Sequence, residues 1–237
     1  MLNIPTMKKF LLLTLFINFL GFSQKMDYKE YNNFLSKYVS FTGNVNYDNI
    51  YLNKPELEAL VLSFEKNVPT TTTPKPDKIA FWINSYNLHT IKLIIDNYPL
   101  NSINDVIDPF KVNFISYKGI LLSLDYVENE ILRKLDDPRI HFGINSASIS
   151  SPILVNEVFE PETLDKQLNT AARFFINDAS KNQLAKDQAS VSKIFQWYKN
   201  DFTSSKSLVE FINQFALVKL TDTTVLTYKE FDFGLNK

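Results

Sequence analysis

The sequence predicts an α+β fold, a single mixed domain with a central, mostly buried helix, a small sheet and surrounding amphipathic helices. Three observations predict it. Residues 77–98 are apolar around most of a helix's circumference, which places that helix in the middle of the domain. Several other segments carry apolar residues on one face at three- and four-residue spacing. Short alternating runs separated by turn residues supply strands, and no internal repeat or compositional shift divides the chain.

The order of elements follows from local signals. Lys8 and Lys9 precede the apolar run 10–20, and Gly21-Phe22-Ser23 puts small residues where a signal peptidase reads. Residues 1–23 are therefore expected to be a secretory signal peptide, cut near Ser23-Gln24, with 24–237 as the domain. The run is short of the roughly 20 residues a membrane span needs, so no stable membrane anchor is expected after cleavage. The expected location is exported, periplasmic or secreted. In residues 27–39, Tyr28, Tyr31, Phe34, Leu35 and Tyr38 mark an amphipathic helix that Gly43 closes, and Val45 and Tyr47 suggest an extended arm. Pro55 suits the first turn of a helix over 56–65, and the four threonines of 70–76 with Pro74 and Pro76 form a loop. The central helix ends at Pro99. Residues 112–117 and 120–122 around Lys118-Gly119 read as a hairpin.

Ser123 offers an N-cap for a helix over 124–135, acidic at its start and basic at its end, which Asp136-Asp137-Pro138 stops. Residues 139–145 read as a central strand that feeds a serine cluster, Ser146, Ser148, Ser150 and Ser151, closed by Pro152. Amphipathic helices follow at 161–177 and 207–215, a short one at 191–197, and a closing strand at 225–231.

Composition narrows the function. The formal net charge of −1, made more negative by two when Lys8 and Lys9 leave, argues against nucleic acid as a partner. The chain has no cysteine, so no disulfide holds it and neither a thiolate nucleophile nor a thiolate metal site exists. Two histidines, His89 and His141, make a His-rich metal site unexpected, and five glycines, none in a phosphate-loop arrangement, leave no nucleotide cradle. The expected metal and cofactor are none.

Residues 80–87, Ser123-Leu124-Asp125 with Glu128 and Ile131-Leu132-Arg133, Asp137-Pro138-Arg139-Ile140-His141-Phe142 and the serine cluster resemble domain-of-unknown-function family 547. The likeness continues through 172–178, 192–198 and 228–236, nearly the whole of 24–237. It implies a fold more than a function, because no activity is attached to that family. The resemblance also implies Asn-Cys-Ala-Ser followed by Cys-Pro after the histidine, where this chain has Asn145-Ser146-Ala147-Ser148 and Ser151-Pro152. A serine hydroxyl needs a positioned base to attack, whereas a thiol is partly ionised already.

The histidine-to-proline stretch is where a base, an amide and hydroxyls converge. A hydrolase reading takes His141 as base, Glu128 as its orienter and a serine as nucleophile, with Ser148 and Ser151 able to return to the histidine's face through a turn. Strand parity puts His141 and Asn145 on one face and Ser146 on the other. Asn84 and Asn87, one helical turn apart, can hold a neighbouring loop's backbone beside this pocket, with Asn145, Ser146 and Arg139 as further pocket residues. Arg133 and Arg139 have Asp136 and Asp137 as ion-pair partners, or can grip a ligand's anion. The reading is thus an exported envelope protein, hydrolase-like or a degenerate hydrolase, acting on a small molecule, peptide or glycan. The alternative is a non-catalytic ligand-binding or structural envelope protein, motivated by the missing cysteines and by 20 Phe and 11 Tyr.

Overall fold

The computed structural model describes residues 26–237; the expected signal peptide lies outside the described residues. The order is α1 (Lys29–Tyr38), α2 (Tyr47–Leu52), α3 (Lys54–Lys66), α4 (Lys75–Asp96), the hairpin β1 (Ile115–Tyr117) and β2 (Ile120–Leu122), α5 (Leu124–Tyr126), α6 (Ile140–Gly143) and α7 (Leu164–Asn177). Then come β3 (Gln183–Leu184), β4 (Gln188–Val191), α8 (Ile194–Trp197), α9 (Lys199–Phe202), α10 (Leu208–Phe215) and β5 (Val225–Tyr228). It is a mixed α+β fold with two small sheets. One is the antiparallel β1–β2 hairpin and the other has the order β3-β4-β5, with β3 antiparallel and β5 parallel to β4. Among the described residues no helix is long and apolar enough to cross a membrane.

α4 is the axis of the fold. From Ile79 to Ile91 every one of its side chains is buried, because its apolar residues wrap the whole circumference and α2, α3, α6 and the α5 region all pack on it. Two apolar clusters result. The larger gathers α1 to α4 and the hairpin; the smaller is built on Phe142, Phe175, Phe195, Phe202 and Phe211 from α6 to α10. α6 lies at their junction, with Ile140 in the first and Phe142 in the second.

Two expectations are corrected here. Residues 139–145 are not a central strand: Ile140–Gly143 form a single helical turn. A five-residue apolar run is ambiguous in period, and Asp137-Pro138 decides it, since Asp137 Oδ1 accepts the Arg139 N–H at 3.0 Å and its carbonyl accepts the Ile140 N–H at 3.1 Å. The parity argument separating His141 from Ser146 goes with the strand. Gly143 sits at a close approach, where a Cβ would lie 3.1 Å from Ile83 of α4 and 3.3 Å from Phe159, so that any larger residue would have to displace those side chains. The arm at Val45 and Tyr47 is a lone bridge between Val39 and Val45 that turns straight into α2, capped by the Asn46 side chain.

Candidate functional site

The site is assembled from three helical pieces. Ser123 Oγ accepts the Tyr126 N–H at 3.1 Å and starts α5, which continues as a π-helical stretch, Val127–Leu132, and a 3-10 turn, Arg133–Leu135, before Asp136 ends it with φ at 53°. Glu128 lies on the π stretch, a geometry that recurs at functional sites, and its side chain is buried. α6 supplies His141, 2% exposed. α8 and α9 bring Trp197, Tyr198 and Asp201 from the other side.

Four side chains form a chain of charge. Arg133 grips Asp201 with both prongs, Nε to Oδ2 at 2.6 Å and Nη2 to Oδ1 at 2.7 Å, and is itself steadied by Asn129 at 2.7 Å. Asp201 Oδ2 also accepts from His141 Nε2 at 2.8 Å. On the far side of the ring, Nδ1 stands 3.4 Å from Glu128 Oε1, close enough for charge attraction but outside hydrogen-bond geometry, so this buried nitrogen has no direct hydrogen-bond partner. The imidazole is stacked on Tyr198 at 4.0 Å and backed by Phe202 at 5.4 Å.

Burial alone would push His141 toward its neutral form; the hydrogen-bonded Asp201 and the facing Glu128 outweigh it and hold the pKa above the ordinary value. Burial likewise opposes ionisation of Asp201, but Arg133 and His141 win and hold its carboxyl well below the usual range. Burial first, and then Glu128, push the Tyr198 phenol up. An imidazole between two carboxylates, one of them locked by an arginine, is a positioned group whose neighbours favour its protonated form, rather than a free base.

Glu128, His141, Ser146 and Ser151 line a cavity of about 310 Å³, closed on one side by rings that include Trp197 and Phe233. That is the lower end of the range for small-molecule sites. A larger open groove of about 1160 Å³ between α1, α7 and the 152–163 loop holds none of these four residues. The smaller cavity is the candidate site because buried ionisable groups converge there.

The serine loop is shaped by its own polar groups. Asn145 Oδ1 accepts the Ala147 N–H at 2.8 Å, Ala147 takes a positive φ of 57°, and the hydroxyls of Ser146 and Ser151 meet directly. Ser148 is buried, bonded to the Ser146 carbonyl at 3.0 Å, and does not face the cavity. The asparagines hold the loop from behind. Asn87 donates to the Gly143 carbonyl at 2.9 Å and accepts the Asn145 N–H at 2.8 Å; Asn84 makes the same pair of bonds to Phe159, at 2.8 and 3.0 Å. Asn145 Nδ2 donates to the Pro152 carbonyl at 2.7 Å. Arg139 points elsewhere, tying the start of α6 to α7 through Asp137, Asp165 and Asn169.

Among the predicted site residues, the fold therefore gathers Glu128, His141, Ser146 and Ser151 at one cavity, uses Ser148, Asn84, Asn87 and Asn145 to shape the backbone behind it, and does not bring Arg139 to it. Arg133 pairs with Asp201 rather than Asp136. Sequence reasoning missed Asp201, 60 positions beyond His141 with no local pattern to mark it, and missed the rings of Trp197, Phe231 and Phe233 as a cavity wall.

Residues 70–176 match the family model described as Protein of unknown function, DUF547. The chain matches no curated protein and no solved structure. The DUF547 match runs from the loop before α4 to the last turn of α7, and so takes in Glu128, His141 and the serine loop. Tyr198, Asp201 and the aromatic wall lie beyond it. With no cysteine in the chain, Ser146 and Ser151 stand where the DUF547 likeness implies a thiol pair.

Proposed function

We propose that the chain is an exported, hydrolase-like protein whose 310 Å³ cavity is the reaction site, with Glu128 as the acid-base group and His141 as the residue that positions it. The observation that carries this reading is the Arg133–Asp201–His141 series ending on Glu128 at the cavity wall. The imidazole that Asp201 holds in place draws the Glu128 carboxylate by charge attraction across 3.4 Å, and a carboxylate drawn to the edge of a cavity can take a proton from water or from a serine hydroxyl. Ser146 and Ser151 supply hydroxyls in the lining of the same cavity. Export is supported by Lys8, Lys9, the apolar run and the small residues before Gln24.

The test is a screen of nitrophenyl esters and glycosides followed by Glu128→Gln on any substrate turned over. General acid-base catalysis contributes roughly 100- to 10,000-fold, so kcat should fall at least 100-fold. Retention of full turnover in Glu128→Gln would remove Glu128 from the mechanism. The second reading is non-catalytic ligand binding, which one observation favours: both ring nitrogens of His141 face carboxylates, and neither faces a serine hydroxyl. Absence of hydrolysis across the screen, with ligand retained in the cavity, would select it.

A further inference from the structure

The side chains lining this cavity are of two kinds. One is a cluster of rings packed on one another, with Trp197 and Phe231 at 4.9 Å between centroids and 49° between planes, and Phe231 and Phe233 at 4.7 Å and 51°. Trp197 is half exposed at its edge. The other is polar: Asp125, Glu128, Ser146 and Ser151, acceptors and hydroxyls on the α5 region and the serine loop.

The charges around the cavity cancel in pairs. His141 answers Glu128, Arg133 answers Asp201, and at the rim Lys111 and Asp125 leave one charge of each sign. A carboxylate or phosphate ligand would meet Asp125 and Glu128, while an organic cation would meet Lys111 and the His141 imidazolium. Neither ionic class is favoured. A neutral ring with one C–H face and polar groups around its edge suits this mixed lining, since an aromatic ring takes the C–H face and carboxylates accept from hydroxyls.

Resting on the reading of this cavity as the functional pocket, we infer that its ligand is a neutral pyranose unit of a glycan, packed against the rings of Trp197, Phe231 and Phe233 with hydroxyls toward Asp125 and Glu128. The volume suits one such unit and not a strand of several.

The chain contains two tryptophans, of which Trp82 is buried, so a change in emission on adding ligand reports Trp197. The experiment titrates the protein with methyl β-D-glucopyranoside, methyl β-D-galactopyranoside, methyl α-D-mannopyranoside and N-acetylglucosamine, with tetramethylammonium chloride and sodium acetate as ionic probes. The expected result is a saturable response to at least one sugar, absent in Trp197→Phe and with Kd at least tenfold weaker in Phe233→Ala. No saturable response to any of the four sugars, saturation by an ionic probe alone, or a sugar response untouched by Phe233→Ala would overturn the inference. Sugar binding without hydrolysis in the earlier screen would refute the hydrolase reading and leave this one standing; ester hydrolysis with no sugar response would do the reverse.

Discussion

The two histidines of this chain are buried in opposite electrostatic surroundings. His89 on α4 donates from Nδ1 to the Ser85 carbonyl at 2.7 Å, and its Nε2 has no partner among buried apolar groups. Desolvation pushes its pKa down to about 4. A histidine depressed in the folded state contributes stability above its unfolded pKa of about 6.5 that is lost as pH falls toward 4. The loss is about 3 kcal/mol for a shift of this size, and denaturant melts of His89→Leu should show that part of the acid slope gone. A slope unchanged in His89→Leu would mean that the residue is not held neutral. His141 acts on the other limb: its raised pKa gives stability that is complete below its unfolded value and lost as pH rises through the folded one.

At the scale of elements, α4 and the serine loop behave as one unit. Asn87 spans them with two buried hydrogen bonds, to Gly143 and Asn145, and Asn87→Ala leaves both backbone groups unpaired. The expected cost is about 2–4 kcal/mol, measured by urea unfolding; a cost under about 0.5 kcal/mol would mean that water replaces the amide. Much of this layer was legible in the sequence. α4 could be read because its apolar residues leave no polar face, and the same fact forces Asn84 and Asn87 to find backbone partners. α5 could be read from Ser123 as its cap. Its π-helical turn could not, because no side-chain pattern distinguishes it from an α-helix carrying the same residues. The stretch from Ile140 to Ile144 was misread because its apolar run fits either period, and the Asp137 carboxylate that starts the turn acts through geometry invisible to periodicity. β4 escaped notice because the alternation of Gln-Ala-Ser-Val runs for only four residues and one of its two buried positions is a small alanine.

Across the whole molecule, the last residues close the structure. Asn236 accepts from the Tyr47 hydroxyl at 2.8 Å, donates to the Gly43 carbonyl at 3.1 Å, and pairs through its backbone N–H with the Ala147 carbonyl at 3.1 Å. The Leu235 N–H donates to the Asn101 carbonyl at 2.9 Å. One short segment thus joins the N-terminal helices to the serine loop, and Phe231 and Phe233 just before it wall the cavity. Asn236→Ala should cost about 2–3 kcal/mol by stranding a buried phenol and a carbonyl, and should loosen the serine loop as read by amide exchange at Ala147. Unchanged exchange at Ala147 would separate the C-terminal segment from the site. Asp201 and the aromatic wall were illegible for the same topological reason: they reach His141 only after the chain has passed through α7 and two strands, and no spacing in the sequence encodes that return.

Whether His141 is a charged positioning group between Glu128 and Asp201 is read directly by a 15N–1H imidazole titration of the intact protein, with His89→Leu assigning the two rings. Both His141 nitrogens are expected to be protonated at pH 7 and to titrate above the ordinary histidine value. A neutral His141 at pH 7, protonated on one nitrogen alone, would contradict this and return the imidazole to the role of a free base.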